Sequence, residues 1–203
     1  LCARRLPENM KIPSASIQVL SPTRKGETGT VNLNKRLQAA LNPPSESKKE
    51  KLFGEAVFRV GDRVIQTKNN YDTIWKTKGG VSGAGVYNGD IGTIAQIDPI
   101  TETLTVDFED KLATYSFEML NELEHAWALT VHKSQGSEYR AVVLALSGDV
   151  QILLTRGVLY TAVTRAKELL IMVGDDNIAH RMIDNNKQSR RYSALRLRLI
   201  ADD

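Results

Sequence analysis

The sequence contains few of the residues on which several common kinds of protein depend. Of its 203 residues, one is a cysteine, three are histidines and 6% are aromatic. The single Cys2 excludes an intramolecular disulfide and a zinc site built from cysteines. No apolar run approaches the ~20 residues that a membrane-spanning helix needs, so we predict that the chain does not enter a membrane. A cytoplasmic location is the default expectation for a chain without disulfides.

Three further absences limit the chemistry of the chain. His125, His132 and His180 lack the spacing of metal ligands, so we predict no metal site. The phosphate-binding pattern G-x-x-x-x-G-K-[ST] does not occur, and we therefore expect that the chain alone hydrolyses no nucleoside triphosphate. Position 1 is Leu rather than Met and no signal peptide follows it, which predicts a piece of a longer protein.

The charges that are present are unevenly distributed. With 41% hydrophobic and 25% charged residues, the composition is that of an ordinary globular protein, and the formal net charge is +3. Residues 1–53 contain 10 Lys or Arg and 4 Asp or Glu, residues 54–124 contain 6 and 12, and residues 125–203 contain 11 and 8. The pattern indicates a basic body that is interrupted by an acidic segment.

Hydrophobic periodicity divides the chain at the same places. The outer segments contain near-continuous apolar runs, typical of buried parallel strands, at Ile17–Leu20, Ala126–Val131, Ala141–Leu146 and Leu169–Val173. Helical spacing predicts helices from Asn32 to Asn42, over Leu153–Lys167 and over Tyr192–Ile200. The middle segment shows period-two alternation that predicts about five short strands in a small antiparallel β-barrel, with a mobile glycine-rich loop over Gly79–Gly89. We therefore predict an α/β domain, residues 1–52 and 125–203, with a β-barrel inserted at 53–124.

Polar and basic side chains are concentrated in three segments of the α/β part. These are Ser21–Gly26, Thr130–Glu138 and Leu159–Lys167. We expect all three at the carboxyl ends of parallel strands, where open α/β sheets bind their ligands. The second segment combines hydroxyl, imidazole, ammonium and amide groups, a set of donors that suits phosphate oxygens.

Five ordered segments resemble one protein family. Val19–Gly26, Thr130–Glu138 and Tyr160–Arg165 resemble motifs IV, V and VI of superfamily 1 helicases. Gly61–Asn70 and Val86–Gly92 resemble the inserted SH3-like barrel of the RecD-like branch, which includes exodeoxyribonuclease V alpha chains. The resemblance covers roughly residues 16–174 and implies the fold class: a RecA-like parallel-sheet domain, the second motor domain of P-loop NTPase type, with an inserted small antiparallel SH3-like β-barrel.

The resemblance also implies residue roles. Arg165 matches the arginine that reaches the γ-phosphate of ATP, a role that suits its planar, permanently charged guanidinium. Matching positions on the ATP side are Lys25, Arg24, Gln135, Gly136 and Glu138, with Lys25 and Arg24 as alternatives for a single contact. Matching positions on the DNA side are Thr130, His132, Lys133, Ser134, Tyr160, Arg63, Asn69 and Asn70.

The function that the resemblance implies is that of an ATP-dependent DNA helicase fragment, moving 5′ to 3′ in recombination or repair. ATP and Mg²⁺ would be bound mainly by an N-terminal motor domain of the same polypeptide, and the partners would be that domain, single-stranded DNA and, in some relatives, subunits of a nuclease–helicase complex. Two alternatives remain open. The chain could be a non-enzymatic nucleic-acid- or protein-binding module, or a fragment of a conjugative relaxase-helicase or a Pif-type helicase.

Overall fold

The computed structural model describes residues 1–148 and 151–186, and its strands form two sheets and a separate hairpin. The helices are α1 (Arg5–Met10), α2 (Thr30–Leu41), α3 (Arg156–Val163) and α4 (Asp176–Asp184). The strands are β1 (Ile17–Ser21), β2 (Glu50–Phe53), β3 (Ala56–Arg59), β4 (Arg63–Gln66), β5 (Asn70–Thr77), β6 (Ser82–Val86), β7 (Ile91–Asp98), β8 (Thr103–Phe108), β9 (Lys111–Ser116), β10 (Leu123–His125), β11 (Ala128–Thr130), β12 (Tyr139–Ala145) and β13 (Ala166–Val173). The helix predicted over Tyr192–Ile200 lies outside the described residues.

The first sheet is parallel throughout, as the apolar runs predict. Its four strands lie in the order β11-β1-β12-β13. Successive residues of the apolar runs are buried on opposite faces, because both faces are covered by helices. Ile17 and Val19 pack with Leu33 and Leu37 of α2, whereas Leu20 packs with residues of α3 and α4.

The second sheet is antiparallel and has seven strands in the order β10-β4-β7-β8-β9-β5-β6, while β2 and β3 form a separate hairpin. Its core includes Phe58, Ile94, Leu104, Val106 and Tyr115, all nearly inaccessible to solvent. The two edge strands of the sheet, β10 and β6, do not pair with each other in the part of the chain that the structure describes. The antiparallel character is confirmed, whereas closure into an SH3-like barrel is not.

Two local predictions are wrong. The stretch predicted as a mobile glycine-rich loop contains strand β6, whose Gly83 lies opposite Trp75 of β5. A Cβ at position 83 would overlap the indole of Trp75, so this glycine permits close packing within a strand. The single helix predicted over Leu153–Lys167 is shorter, because α3 ends at Val163 and β13 begins at Ala166.

A buried carboxylate joins the antiparallel sheet to α2. Asp62, in the turn before β4, is fully buried. Its Oδ2 accepts from the Nε2 of Gln38 at 2.6 Å and from the backbone N–H of Arg59 at 2.7 Å, and its Oδ1 accepts from the Nδ2 of Asn42 at 2.7 Å. The Nε2 of His125 lies 3.2 Å from Oδ2. We refer to these five residues as the Asp62 joint.

The amides of the joint continue along one face of α2. Asn34, Gln38 and Asn42 follow each other at intervals of four residues, which places them on one side of the helix. The Nδ2 of Asn34 donates to the carbonyl oxygens of His125 and Ala128, and its Oδ1 accepts from the N–H of Ala128. This face of α2 thereby fixes the chain where it returns from the antiparallel to the parallel sheet.

Candidate functional site

The carboxyl ends of β1 and β11 bring two of the predicted segments together. Ser21 and Thr130 are register partners at the ends of these strands, so Ser21–Gly26 and Thr130–Glu138 start side by side. The backbone N–H of Lys133 lies 3.3 Å from the Oγ1 of Thr130, which helps to shape the short helical turn His132–Ser134. The polar loops predicted from sequence therefore form one edge of the parallel sheet, which we call the carboxyl edge.

At the carboxyl edge, two cations converge on one carboxylate. The Oε1 of Glu124 lies 3.1 Å from the Nη2 of Arg24, and the Oε2 of Glu124 lies 2.8 Å from the Nζ of Lys133. The Glu124, Arg24 and Lys133 side chains are 40%, 60% and 30% exposed. Partial burial alone would raise the pKa of Glu124, but Lys133 and Arg24 outweigh it, so that this pKa lies below its ordinary value.

Of the two alternatives in Ser21–Gly26, only Arg24 is drawn into this cluster. Lys25 is exposed, and its carbonyl oxygen accepts from the hydroxyl of Thr23. The structure thus joins Arg24, predicted for the ATP side, to Lys133, predicted for the DNA side. Arg24 and Lys133 share their environment with each other and with Glu124.

The segment Val131–Glu138 crosses from the carboxyl edge to the opposite edge of the sheet. Ser134 is fully buried, and its hydroxyl donates to the carbonyl of Val131 at 2.8 Å. The structure gives Ser134 a role in the turn and leaves it no exposed atom for the predicted DNA contact. Gly136 has φ +85°, a conformation that favours glycine. The side chains of His132 and Gln135 are exposed to solvent.

Arg165 lies at the opposite edge, where β12 and β13 begin, and we call this the amino edge. The third segment was predicted at the carboxyl ends of strands, and for Arg165 this placement is wrong, because the residue follows α3 and precedes β13. Its guanidinium donates to the carbonyls of Ser137 and Thr161 at 3.0 and 3.2 Å and to the hydroxyl of Thr164 at 3.2 Å. Its own carbonyl accepts from the N–H of Tyr139 at 2.8 Å.

The bonds of Arg165 are made to neutral acceptors. In residues 1–148 and 151–186, no carboxylate lies within ion-pair distance of its guanidinium. Nearby Glu138 instead pairs with Lys167, with 3.4 Å between Oε2 and Nζ. Arg165 thus links the segment resembling motif V to the segment resembling motif VI, while its charge has no counter-ion in the part of the chain that the structure describes.

Arg63 also faces the amino edge. It is the first residue of β4, its guanidinium carbon lies 6.0 Å from the ring centroid of Tyr139, and burial lowers its pKa. Burial raises the pKa of the Tyr139 hydroxyl, against the opposing effects of Ser137, Arg63 and Arg165. The structure therefore places Arg63 with Arg165 rather than with Asn69, which lies beyond the other end of β4.

A groove is lined by three residues predicted to bind ligands, one on the ATP side and two on the DNA side. It has a volume of about 1050 Å³ and lies between the crossing segment and α3. His132 and Gln135 line it from one side and Tyr160 from the other. Tyr160 is largely exposed, so its ring is available to a ligand in the groove.

The two asparagines predicted to contact DNA are largely engaged within the protein. The Nδ2 of Asn70 donates to Glu122 at 3.0 Å, and its Oδ1 accepts from the N–H groups of Asp72 and Thr73. The Oδ1 of Asn69 accepts from the N–H of Asn88 at 2.9 Å. These bonds give both residues a role in shaping the turns.

An exposed aromatic pair beside them was missed by the sequence prediction. Tyr71 and Tyr87 are 65% and 47% exposed, and their rings pack edge to face with centroids 5.9 Å apart. The two residues belong to different strand ends, so only the fold brings them together. The signal in the sequence was an aromatic residue beside each of the asparagine-rich turns, at Asn70-Tyr71 and Tyr87-Asn88.

No other class of site is indicated by the described residues. Among them, no group of three or more histidine, cysteine, aspartate or glutamate side chains could hold a metal ion. None of their helices has the length and apolarity needed to cross a membrane.

Two family models match parts of the chain. The model described as the ATP-dependent RecD-like DNA helicase SH3 domain matches residues 33–108, and the UvrD-like helicase C-terminal domain matches residues 125–173. The first match extends upstream of the predicted insertion into α2. The second includes the crossing segment, α3 and all of β13.

Individual proteins agree with the models. The chain is 34% identical over 186 residues to the ATP-dependent RecD2 DNA helicase of Deinococcus radiodurans, a match that covers 92% of the chain and 24% of that protein. It is 31% identical to the RecBCD enzyme subunit RecD of Mycolicibacterium smegmatis, covering 90% of the chain and 29% of that protein. The chain therefore spans about a quarter of the length of these curated relatives.

Solved structures agree at the level of the fold. A Pif1 helicase from Bacteroides, in complex with ADP-AlF3 and ssDNA, superposes with a TM-score of 0.55 and 16% identity, covering 98% of the chain and 47% of that protein. The resemblance to a C-terminal part of RecD-like superfamily 1 helicases, predicted from the motifs, is confirmed.

Proposed function

We propose that this chain, similar to RecD-like helicases over nearly all its length, is the second motor part of an ATP-dependent DNA helicase that moves 5′ to 3′ in recombination or repair. The observation that supports the proposal most directly is the state of Arg165. An arginine that joins two helicase-like motifs and has no counter-ion among the described residues is suited to meet the γ-phosphate of a nucleotide at the amino edge.

The nucleotide would be shared with another domain. The chain has no G-x-x-x-x-G-K-[ST] pattern, so ATP and Mg²⁺ would be held mainly by a preceding motor domain of the same polypeptide. Glu138, beside Arg165, would accept from the ribose hydroxyls, and Gln135 and Gly136 would couple the nucleotide to the crossing segment. During phosphoryl transfer, the guanidinium of Arg165 would stabilise the charge that develops on the γ-phosphate oxygens.

Single-stranded DNA would bind at the carboxyl edge and in the adjoining groove. Lys133, Thr130 and His132 would contact backbone phosphates, and the exposed ring of Tyr160 would offer a stacking surface. Tyr71 and Tyr87 would provide a second aromatic surface on the antiparallel sheet. Because the crossing segment runs between the two edges, a change at Arg165 would be transmitted to the DNA side through Ser137.

The proposed chain consists of a motor domain and a second domain inserted into it. Residues 1–52 and 125–203 would form the RecA-like motor domain, and 53–124 would form the inserted SH3-like barrel. In a parent that resembles the RecD subunits, further contacts to a nuclease–helicase complex would lie on surfaces outside the two edges.

The test replaces Arg165 with alanine in the full-length helicase. We expect ATP hydrolysis in the presence of single-stranded DNA to fall at least about 1000-fold, because the guanidinium that stabilises the charge on the γ-phosphate oxygens is lost. DNA affinity without nucleotide should stay within about twofold, since Arg165 lies at the edge remote from Lys133. The matched control is Arg140→Ala, which removes an exposed arginine of β12 that pairs with Glu168.

Near wild-type hydrolysis in the Arg165→Ala protein would contradict the proposed contact of Arg165 with the γ-phosphate. If DNA binding persists in a parent that hydrolyses no ATP at all, the chain is instead a non-enzymatic binding module.

A further inference from the structure

The two oxygens of the Glu124 carboxylate contact different cations. Each carboxylate oxygen takes one cation, Oε1 that of Arg24 and Oε2 that of Lys133. A phosphodiester group also presents two non-bridging anionic oxygens that can be shared between two donors. The two cations are therefore already arranged about one anionic group.

We propose that Arg24 and Lys133 together form a phosphodiester site for single-stranded DNA, and that Glu124 occupies this site as an internal competitor until DNA displaces it. The proposal rests on the DNA-binding function proposed above and adds to it a regulation of that surface. It also assigns Arg24 to the DNA side rather than to the nucleotide.

The position of the cluster favours a nucleic-acid phosphate over the nucleotide. Arg24 and Lys133 follow the carboxyl ends of β1 and β11, whereas Arg165 and Glu138 lie where β12 and β13 begin. Strand β1 has five residues, which separate the two edges by roughly 16 Å at ~3.3 Å per residue. One phosphate cannot contact both places.

The origin of Glu124 makes displacement feasible. Arg24 and Lys133 belong to loops of the parallel sheet, whereas Glu124 belongs to β10 of the antiparallel sheet, held through its register with Ile65. Release of its side chain requires a change of rotamer and leaves both loops and the strand in place. Partly exposed ion pairs are weak, so a strand that presents several phosphates at once can replace them.

The competitor has a predictable effect on binding. While Glu124 is in place, its negative charge offsets one of the two positive charges, so the pair of cations attracts other anions less strongly. A DNA strand must displace the carboxylate, so part of its binding free energy is lost in doing so. Removal of the negative charge should therefore strengthen binding, whereas removal of a residue that merely orients the cations would weaken it.

The experiment measures binding of the 203-residue chain to a fluorescein-labelled dT15 oligonucleotide by anisotropy, between 25 and 300 mM NaCl. We expect Glu124→Gln to bind about 3- to 10-fold more tightly at the lowest salt. The slope of log K against log salt should become steeper by about 0.7, the value for one additional charge acting on a single strand. The matched control is Glu118→Gln, an exposed residue of the turn that precedes β10, which should change the affinity less than twofold.

A second background separates local competition from a general change in net charge. In a chain that also has Arg24→Ala and Lys133→Ala, the Glu124→Gln change should no longer strengthen binding. If it still does, the effect is long-range electrostatics and the proposed competition is refuted. If Lys133→Ala weakens binding but Glu124→Gln weakens it too or leaves it unchanged, the competitor proposal fails while the DNA-binding function stands.

Two further outcomes have distinct meanings. If Lys133→Ala leaves DNA affinity unchanged, the proposed DNA role of this edge itself fails. In a further measurement, inorganic pyrophosphate or ATP is added as a competitor of dT15. If Glu124→Gln makes these competitors bind more tightly but leaves the affinity for dT15 unchanged, Arg24 and Lys133 bind the nucleotide, and their assignment to a DNA phosphodiester is overturned. If Glu124→Gln does not fold, as judged by circular dichroism, Glu124→Asp replaces it, because the shorter side chain moves the carboxylate away from the two cations. This variant should also bind dT15 more tightly than the wild-type chain, by a smaller factor than that expected for Glu124→Gln.

Discussion

Two carboxylates of the antiparallel sheet contact the parallel part of the molecule, and their surroundings differ. Asp62 is fully buried and accepts from neutral amide and backbone donors at 2.6–2.7 Å. Glu124, one residue before His125 of the Asp62 joint, is 40% exposed and binds two cations that are themselves exposed to solvent. One carboxylate is enclosed by short hydrogen bonds from buried neutral donors, and the other accepts charge-assisted hydrogen bonds from two partly exposed cations.

The difference separates permanent from exchangeable contacts. A buried carboxylate whose donors are all provided by the protein cannot be released without leaving several polar groups unsatisfied. A half-exposed ion pair can be replaced by water, salt or another anion at small cost. The antiparallel sheet is thus anchored to α2 by Asp62, while Glu124 remains free to exchange its partners.

The largest effect is expected from Asp62→Asn. The amide NH2 would face at least one of the donors from Gln38, Asn42 and the Arg59 backbone, so a buried donor would lose its acceptor. We expect the free energy of unfolding to fall by about 2–4 kcal/mol, measured by urea denaturation. The control Asp110→Asn, at an exposed turn, should change it by less than about 0.5 kcal/mol. A loss as small as that of the control would show that the Asp62 joint is not a permanent anchor.

An intermediate effect is expected from the double change Arg24→Ala and Lys133→Ala. Removal of both cations should weaken dT15 binding about tenfold at low salt and flatten the salt dependence by about 0.7 or more. Unfolding free energy should change little, because both side chains are partly exposed. A large loss of stability with unchanged DNA affinity would contradict the comparison, because it would show that Glu124 and its two cations form a permanent contact like that of Asp62.

Much of the fold follows from the sequence, because the strongest signals are local. The run at Ala141–Leu146 is apolar at every position and Ile17–Leu20 is interrupted only by the buried Gln18, a pattern typical of strands buried on both faces. The prediction failed where the pairing of two strands decides: β6 contains Gly83 and Gly85 and resembles a loop until Trp75 of β5 is placed against it. Asn34, Gln38 and Asn42 had a readable spacing of four, but the carboxylate that Gln38 and Asn42 bind comes from another segment.

The candidate site shows the same limit. Motif-like segments predicted which loops are polar, and the structure places them at the edges of the parallel sheet. Which residues share a site depends on the crossing of Val131–Glu138 from one edge to the other, and this separates Arg24 from Arg165. Likewise, the sequence gives no reason to connect Glu124 with Arg24, 100 residues away in the chain, or Tyr71 with Tyr87.

The smallest effect, and the sharpest test of the exchangeable contact, is the pH dependence of stability at Glu124. Burial tends to raise the pKa of Glu124, but Lys133 and Arg24 together lower it by more than burial raises it. The folded-state pKa therefore lies below the ordinary value of 4.5. A depressed folded-state pKa means that the ion pairs stabilise the protein above about pH 4.5, and that this contribution disappears as the pH falls through the folded-state value.

We therefore expect Glu124→Gln to be less stable than the wild-type chain at pH 7 by less than about 1 kcal/mol, since exposed ion pairs contribute little. The difference should shrink as the pH falls below about 4.5 and through the folded-state pKa. It should also shrink in 0.5 M NaCl, which screens the two cations from the carboxylate. Urea midpoints at pH 7, 5 and 3 measure it. A difference that persists at low pH would mean that packing of the Glu124 side chain, rather than its charge, holds the two loops. In that case DNA could not displace it by competing for Arg24 and Lys133.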